Sequence, residues 1–313
     1  MRPHPEAEPA PGDPTAHPGW LKVIPRALRV HQWAKNTLIF APLVASHQIF
    51  DDRLLAMPLL AFFAFSLCAS ASYLLNDLLD LESDRLDPAK RHRPLAAGHL
   101  SPTAAIVLAV IVFGIGIAFA WMLPRGFLWV LLIYLVTTLA YSLHLKRVLM
   151  LDVVVLATLY ALRILAGNMA FAIEISEWLL ALSVFLFLSL AMIKRYTELL
   201  GRQRAGSPPS DRRGYVAEDL DLIGTLGSAS GYIAVLVMSL YITSNRVRIR
   251  YDHPDLLWLV CLVMLYWIGR AWLIARRGDM DADPVLFALK DKVSYGSALV
   301  ILLIVALASG ALI

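Results

Sequence analysis

The chain has 313 residues, of which 59% are hydrophobic and 17% are charged, and its formal net charge is +4. This apolar fraction is well above that of a soluble globular domain, so the composition indicates an integral membrane protein. The modest charge does not indicate nucleic-acid binding. The two cysteines, Cys68 and Cys261, lie inside apolar segments and support neither a disulfide framework nor a thiolate metal site.

The first 19 residues are rich in proline and lack an apolar core, which is typical of a disordered cytoplasmic tail and not of a signal peptide. Residues 20–313 are predicted to form a single transmembrane domain. A bilayer core about 30 Å thick needs roughly 20 apolar residues per helix, and no barrel-type alternation occurs. The predicted fold class is an all-α polytopic bundle of about nine transmembrane helices, at residues 36–52, 54–79, 102–122, 126–143, 151–171, 177–197, 224–244, 256–275 and 293–312.

The segments between the predicted helices differ in positive charge. With nine spans, 20 lysine and arginine residues from Lys22 onward lie on the side of the N-terminus and five lie on the opposite side. Positively charged loops tend to remain in the cytoplasm. The N-terminus is therefore predicted to lie on the cytoplasmic side of the inner (plasma) membrane, with the C-terminus outside.

A polar stretch, NDLLDLESDRLDPAKRHRPLAAG (76–98), begins at the cytoplasmic end of the second predicted helix. If that helix continues to residue 84 at about 100° per residue, one of its faces carries Asn76, Asp77, Asp80 and Asp84. Like charges this close repel each other, whereas Mg²⁺ binds carboxylate and amide oxygens together with substrate phosphate oxygens. The stretch therefore predicts a magnesium site for a phosphate-bearing substrate. A solvated helix end before a positively charged loop is the alternative, and it explains the cations but not the acidic face.

The spacing Asn-Asp-x-x-Asp-x-x-x-Asp, followed by Lys90, Arg93-Pro94-Leu95 and Gly98, resembles the first aspartate-rich motif of the UbiA superfamily of intramembrane prenyltransferases. The nine-helix plan is similar to that family over nearly the whole chain. The resemblance implies that the acids bind a magnesium–diphosphate group, with Mg²⁺ as the cofactor. It also implies that the cations after them contact phosphate.

Ordinary members of the family carry a second aspartate-rich motif after the sixth helix. Here Lys194-Arg195-Tyr196-Thr197-Glu198 stands in its place, and the later Asp219 and Asp221 lack the Asp-x-x-x-Asp spacing. Lysine and arginine bind phosphate directly, whereas carboxylates need a metal ion between themselves and the phosphate. A cavity with one metal-binding face and one cationic face suits substrates that carry a diphosphate and a further monophosphate.

Four segments resemble the decaprenyl-phosphate phosphoribosyltransferase branch of this family: RVHQWAKN (29–36), AYSLHLKRVLMLD (140–152), KRYTEL (194–199) and RRGDMDADPVLFALKDKVS (276–294). Val30, where proline is expected, is one departure. The resemblance implies a glycosyltransferase that moves 5-phosphoribose from phosphoribosyl diphosphate (PRPP) to a polyprenyl (decaprenyl) phosphate, releasing diphosphate, toward arabinose for cell-wall arabinan. The expected partners are these two substrates and membrane lipid, and a homo-oligomer stays an open alternative.

Position and resemblance divide the candidate site residues into groups. The catalytic aspartates are Asp77, Asp80 and Asp84, and Asn76 joins them as a metal ligand. The candidates for the diphosphate or the acceptor phosphate are Lys35, Lys90, Arg91 and Arg93. The candidates for the 5-phosphate and ribose of the donor are Lys194, Arg195, Tyr196 and Glu198. Three further residues either complete the pocket or serve as interface anchors and helix caps: Tyr141, Lys146 and Asp152.

Arg163 lies well inside the fifth predicted helix, where a charge is costly unless it faces a cavity or a partner. The sequence does not identify that partner. Two other functions are compatible with parts of the pattern. A UbiA-type aromatic prenyltransferase would share the acids but would need a second acidic site where Lys194 stands. A transporter of phosphorylated solutes would use paired broken helices, of which the sequence has no sign.

Overall fold

The computed structural model describes residues 20–46, 56–87, 90–206, 214–280 and 283–310. The predicted tail, residues 1–19, lies outside them. Within these ranges the chain forms helices and turns and no β-strand, which confirms the all-α fold class. The α-helices are α1 (Trp20–Ala27), α2 (Ala41–Ser46), α3 (Ala56–Leu79), α4 (Leu81–Leu86), α5 (Pro102–Trp121), α6 (Arg125–Leu143), α7 (Leu151–Ala170), α8 (Glu177–Arg204), α9 (Leu220–Ile242), α10 (Asn245–Arg250), α11 (Trp258–Arg277), α12 (Pro284–Ala288) and α13 (Lys292–Ala308). The 3-10 helices are Val30–Phe40, Leu145–Arg147, Ala217–Asp219 and Pro254–Leu257.

Seven of the described helices are long and apolar enough to cross a membrane: α3, α5, α6, α7, α8, α9 and α11. They coincide with seven of the predicted spans, and α13 is a shorter apolar helix at the ninth predicted span, residues 293–312. The predicted count of nine is not confirmed for the part of the chain that the structure describes.

The predicted first span, residues 36–52, is not one continuous spanning helix. Its described part comprises the end of the 3-10 helix Val30–Phe40 and the six residues of α2, while residues 47–52 lie outside the described ranges. The polar side chains of this segment bind inside the bundle, because Asn36 donates to Ser66 Oγ at 2.9 Å and Trp33 donates to Ser70 Oγ at 2.9 Å. The segment therefore packs against α3 and brings polar groups to the interior.

Helix α7 lies between two apolar clusters. Its residues Ala157 and Ile164 belong to a cluster with α8, α9 and α11, whereas Leu159 and Leu162 belong to a cluster with α3 and α6. Successive helical residues point about 100° apart, so one helix can serve both clusters. As a result, most of the side chains on α7 are buried.

Gly167 allows α7 to approach the 3-10 helix Val30–Phe40 closely. A Cβ atom added at this position would overlap the backbone carbonyl oxygen of Ile39. The absence of a side chain therefore lets the backbone of the 3-10 helix lie directly against α7. This contact places Lys35 and Asn36 beside α7.

The polar stretch after the second predicted helix is not one continuous helix. Helix α3 ends at Leu79, Asp80 has φ −97° and ψ 9°, and α4 begins at Leu81. The assumption that a single helix continues to residue 84, from which the shared acidic face followed, is therefore wrong, whereas the predicted span ends at residue 79 as α3 does. Asp84, on the far side of this break, is turned inward and is 1% exposed.

Candidate active site

A cavity of about 350 Å³ opens between the ends of α3 and α6 and extends inward along α7 and α8. Polar and charged side chains from α3, α6, α7, α8, the 3-10 helix Val30–Phe40 and the loop after α4 line it. It therefore contains chemistry from distant parts of the chain. The predicted site residues on its wall are Lys35, Asn76, Asp77, Asp80, Lys90, Arg93, Tyr141, Lys146 and Lys194.

The acidic end of the cavity is paired with cations. Arg93 Nη1 donates to Asp77 Oδ1 at 3.1 Å and to Asp84 Oδ2 at 2.5 Å, so one guanidinium nitrogen bridges both carboxylates. Asp80 lies apart from this pair, with its carboxylate 3.6 Å from Lys146 Nζ. Lys90 Nζ lies 3.6 Å from Asp84 Oδ1. The acids and cations of the motif thus form one compact charged cluster.

Two carboxylates of this cluster are arranged to hold a metal ion, although the full predicted ligand set is not assembled. The described residues include no group of three or more His, Cys, Asp or Glu side chains that could hold one, so the predicted four-residue ligand set is not preassembled. Asp77 and Asp84 nevertheless converge on one cationic atom, and Asp84 Oδ1 is buried without a hydrogen-bond donor. Magnesium often binds through one or two carboxylates plus waters and substrate phosphate. These two carboxylates fit that mode of binding.

The opposite end of the cavity is cationic. Lys35 donates to Asp283, and Asp283 also accepts from the backbone N–H groups of Val285 and Leu286 at the start of α12. Burial opposes ionisation of Asp283, but the charges of Lys35 and Lys194 outweigh it and hold the pKa of this carboxyl below its usual value. Asp283 is therefore an anion that is paired with Lys35 and influenced by the charge of Lys194.

The floor of the cavity is formed by Tyr134, Tyr160 and Arg163. Arg163 is 4% exposed, and it donates to Asn36 Oδ1 at 2.9 Å, to the Tyr134 hydroxyl at 3.0 Å and to the Leu159 carbonyl at 2.5 Å. These are the partners that the sequence left unidentified, and all of them are neutral.

A buried network lies behind the cavity wall. Arg195, which is 1% exposed, donates to Asp152, to Glu198 and to the Tyr141 hydroxyl, the last at 3.0 Å. Tyr215 donates to the other oxygen of Asp152 at 2.6 Å. The three nitrogens of Arg195 are thus engaged with protein groups, and Tyr141 is the member of the network that reaches the cavity.

Four of the predicted substrate-binding residues do not lie on the cavity wall. Arg195 and Glu198 belong to the buried network, and Arg91 is exposed. Tyr196 packs edge-on against Trp272, with 5.9 Å between the ring centroids. Helical geometry gives the reason for Arg195 and Tyr196, because successive residues of α8 point about 100° apart and Lys194 faces the cavity. Glu198, one turn after Lys194, pairs with Arg195 instead. The predicted direct role of Arg195 in phosphate binding is not supported by this arrangement.

Several residues of the cavity wall are not among the predicted site residues, and three of them are Arg29, Tyr160 and Asp283. Arg29 and Asp283 lie inside two of the segments that carried the resemblance, RVHQWAKN and RRGDMDADPVLFALKDKVS, which was the available signal. Tyr160 lies in an apolar helix without a distinguishing local pattern. Arg29 donates to Asp77 Oδ1 at 2.5 Å.

A family model described as the UbiA prenyltransferase family matches residues 37–293. The uncharacterized protein y4nM of Sinorhizobium fredii is 38% identical over 283 residues, which are 90% of this chain. The chain spans 54%, about half, of the length of y4nM. The nodulation protein NoeC of Azorhizobium caulinodans is 35% identical, with 92% of this chain and 94% of NoeC covered.

The decaprenyl-phosphate phosphoribosyltransferase of Mycobacterium tuberculosis is 36% identical over 274 residues, which cover 86% of this chain and 88% of that protein. Among solved structures, a UbiA homolog from Archaeoglobus fulgidus bound to DMAPP and Mg²⁺ is similar with a TM-score of 0.68 and 17% identity. The match covers 91% of this chain and 96% of the homolog. At this identity the likeness concerns the fold.

Proposed function

The chain belongs to the UbiA prenyltransferase family and is a membrane-embedded transferase, and we propose that it moves 5-phosphoribose from phosphoribosyl diphosphate to a polyprenyl phosphate. Diphosphate is the other product, and the reaction takes place at the cytoplasmic membrane face. The phosphoribosyltransferase relative, aligned over 86% of this chain, supports the substrate pair. The product is a lipid-linked pentose phosphate suited to supplying arabinose donors.

The division of charge inside the cavity carries this proposal. Asp77 and Asp80 line one end together with their cationic partners, whereas Lys35, Lys194 and Arg163 line the other end with Asp283 as the carboxylate beside them. A prenyltransferase that holds a prenyl diphosphate with two metal ions would need acids at both ends. Lysine and arginine can contact phosphate oxygens without a second metal ion, as a substrate pair with an additional monophosphate requires.

Asp77 and Asp84 are the residues proposed to hold Mg²⁺, and Asn76 and Asp80 line the same end of the cavity. When bound, Mg²⁺ supplies positive charge to the departing diphosphate oxygens. The solved homolog with DMAPP and Mg²⁺ supports a divalent ion in this fold.

The chemical step exchanges one bond for another at the anomeric carbon of the donor. The bond from that carbon to a diphosphate oxygen breaks, and a bond to an oxygen of the polyprenyl phosphate forms. Arg93, Lys90 and Lys146 lie at the acidic end and neutralise negative charge that develops on the leaving group. The acceptor oxygen is already anionic at neutral pH, so no strong general base is required.

The proposal is tested with purified protein in lipid nanodiscs, Mg²⁺, polyprenyl phosphate and phosphoribosyl diphosphate labelled in the ribose. Label is expected in the lipid fraction with stoichiometric release of diphosphate. Asp80→Asn is expected to abolish the transfer, whereas Asp221→Asn, which alters an exposed acid at the start of α9, leaves it unchanged.

Two results would contradict the proposal. If label stays in the aqueous fraction while a prenyl diphosphate is consumed with an aromatic acid, the protein is an aromatic prenyltransferase. If phosphorylated solute crosses sealed proteoliposomes without release of diphosphate, it is a transporter.

A further inference from the structure

Arg163 is a buried cation in the middle of α7, about 18 Å along that helix from its first residue at 1.5 Å per residue. Its guanidinium lies near three aromatic rings, with centroids at 4.9 Å for Tyr134, 5.3 Å for Tyr160 and 5.5 Å for Phe65. The side chain lines the inner end of the cavity. Arg163 therefore faces the space that a substrate enters.

The charge of Arg163 is not balanced by a protein anion. Within the described residues no carboxylate forms an ion pair with it, and its three hydrogen bonds go to neutral oxygens. A guanidinium carries five N–H donors, so two remain for other acceptors. A buried charge without a counter-ion is costly. A ligand anion in the cavity would offset that cost.

Two lysines extend this positive region. Lys35 Nζ lies 5.9 Å from the centroid of the Tyr160 ring, the same ring that Arg163 contacts. Lys35 is paired with Asp283, whereas Lys194 has no carboxylate within ion-pair distance among the described residues. The region thus contains three cations and one carboxylate. Its excess of two positive charges matches the charge of about −1.5 to −2 on a phosphate monoester at pH 7.

We propose that Lys35, Arg163 and Lys194 form a subsite for a phosphate monoester, distinct from the diphosphate-binding end at Asp77 and Asp80. Arg163 thereby receives a role in substrate binding. It takes the place predicted for Arg195 as the second cation that binds phosphate beside Lys194. Asp283 is the resident counter-ion of Lys35. This inference rests on the proposed function, which supplies two monoesters: the 5-phosphate of the donor and the phosphate of the polyprenyl acceptor.

The test measures binding of monophosphates alone. Purified protein is titrated calorimetrically, without divalent ions, with ribose 5-phosphate in one arm and farnesyl phosphate in the other. Arg163→Gln and Lys194→Gln are both expected to weaken binding of the same ligand, one of these two, roughly tenfold or more. This is the effect of losing a charge-assisted hydrogen bond. Arg202→Gln is the matched control, because Arg202 is an exposed arginine two turns further along α8.

The outcomes assign the subsite or remove it. Weaker binding of ribose 5-phosphate in both variants assigns it to the donor, and weaker binding of farnesyl phosphate assigns it to the acceptor. Unchanged binding of both ligands, or no binding by the wild-type protein, overturns the proposal. A loss confined to Arg163→Gln also overturns it, because Arg163 bonds to three neighbours and a purely structural role gives that result.

Asp283→Asn provides an independent check on the same subsite. Removing the counter-ion of Lys35 is expected to tighten binding of the assigned monophosphate several-fold, opposite in sign to the other variants. Weaker binding would contradict the assignment. Because no transfer is measured, failure of the phosphoribosyl-transfer assay with intact monophosphate binding would remove the proposed function and leave the subsite. The reverse pattern would remove the subsite alone.

Discussion

The guanidinium of Arg29 lies 2.5 Å from the carboxylate of Asp77. Arg29 directly precedes the 3-10 helix Val30–Phe40, and Asp77 lies in the last turn of α3, so this contact connects the two elements. Arg29 has φ 51° and ψ 46°, a left-handed conformation that few non-glycine residues adopt. Its guanidinium also lies 5.2 Å from the centroid of the Tyr73 ring. The turn at Arg29 therefore directs a cation to the acidic end of the cavity.

Replacing Arg29 by glutamine is expected to lower kcat/KM for the diphosphate donor by roughly tenfold, because a cation beside the leaving group is removed. The thermal midpoint is expected to change little, since Asp77 keeps its contact with Arg93. Steady-state kinetics in nanodiscs measure the first quantity. Arg26→Gln removes an exposed arginine at the end of α1 and serves as the control; equal kinetics for the two variants would refute a site role for Arg29.

Asp80→Asn and Asp84→Asn are expected to separate catalysis from stability. Both should reduce turnover roughly 10²-fold or more, the effect of losing an electrostatic stabiliser of developing charge. Only Asp84→Asn should lower the thermal midpoint, because Asp84 is buried and accepts from Arg93, whereas Asp80 is partly exposed. Thermal unfolding followed by tryptophan fluorescence tests this difference. Near-normal turnover of Asp84→Asn at saturating Mg²⁺ would contradict the metal assignment.

Arg195→Gln is expected to destabilise the protein by about 3–5 kcal/mol, because it leaves the fully buried carboxylate of Asp152 without its ionic partner. The double variant Arg195→Gln with Asp152→Asn is expected to recover part of this loss, since the unpaired charge is then removed as well. Denaturant unfolding measures both. Arg202→Gln on the same helix is the control. If Arg195→Gln were as stable as Arg202→Gln, the buried ion pair would be excluded.

Gly167→Ala is expected to lower both stability and donor binding. The added methyl group overlaps the carbonyl of Ile39 and displaces the 3-10 helix that carries Lys35 and Asn36. Gly114→Ala is the matched substitution, because nothing lies within 4 Å of a Cβ at that position. We expect the Gly114 variant to keep the wild-type thermal midpoint and donor KM. Indistinguishable variants would show that α7 and the 3-10 helix do not need their close contact.

Much of the fold was predictable because the membrane imposes it. Apolar segments of spanning length must satisfy their backbone internally, and this single constraint located seven long helices and α13 in the sequence. The segment at residues 36–46 was predicted less well. Its hydropathy is compatible with a span, but Asn36 and the nearby Trp33, which precedes the segment, bond to serines of α3. Such contacts with another helix are not visible in a local pattern.

The candidate site was likewise predictable where local chemistry decides and not where the packing of distant segments decides. Local chemistry identified Asp77, Asp84 and Arg93 as a group, and the structure brings them into contact. Local chemistry could not separate Lys194 from Arg195, because both are cations in one run. The direction of each side chain around α8 decided that Lys194 faces the cavity and that Arg195 faces Asp152.

The sequence by itself determined the all-α membrane fold and the charged motif after α3, because hydrophobicity and charge spacing act over short stretches of chain. The tertiary structure alone decided the composition of the cationic end. Lys35 and Asp283 are 248 residues apart, and they meet because the 3-10 helix and the segment before α12 pack around the same cavity. Such a pairing arises from the packing of the whole bundle, so no local spacing in the sequence encodes it.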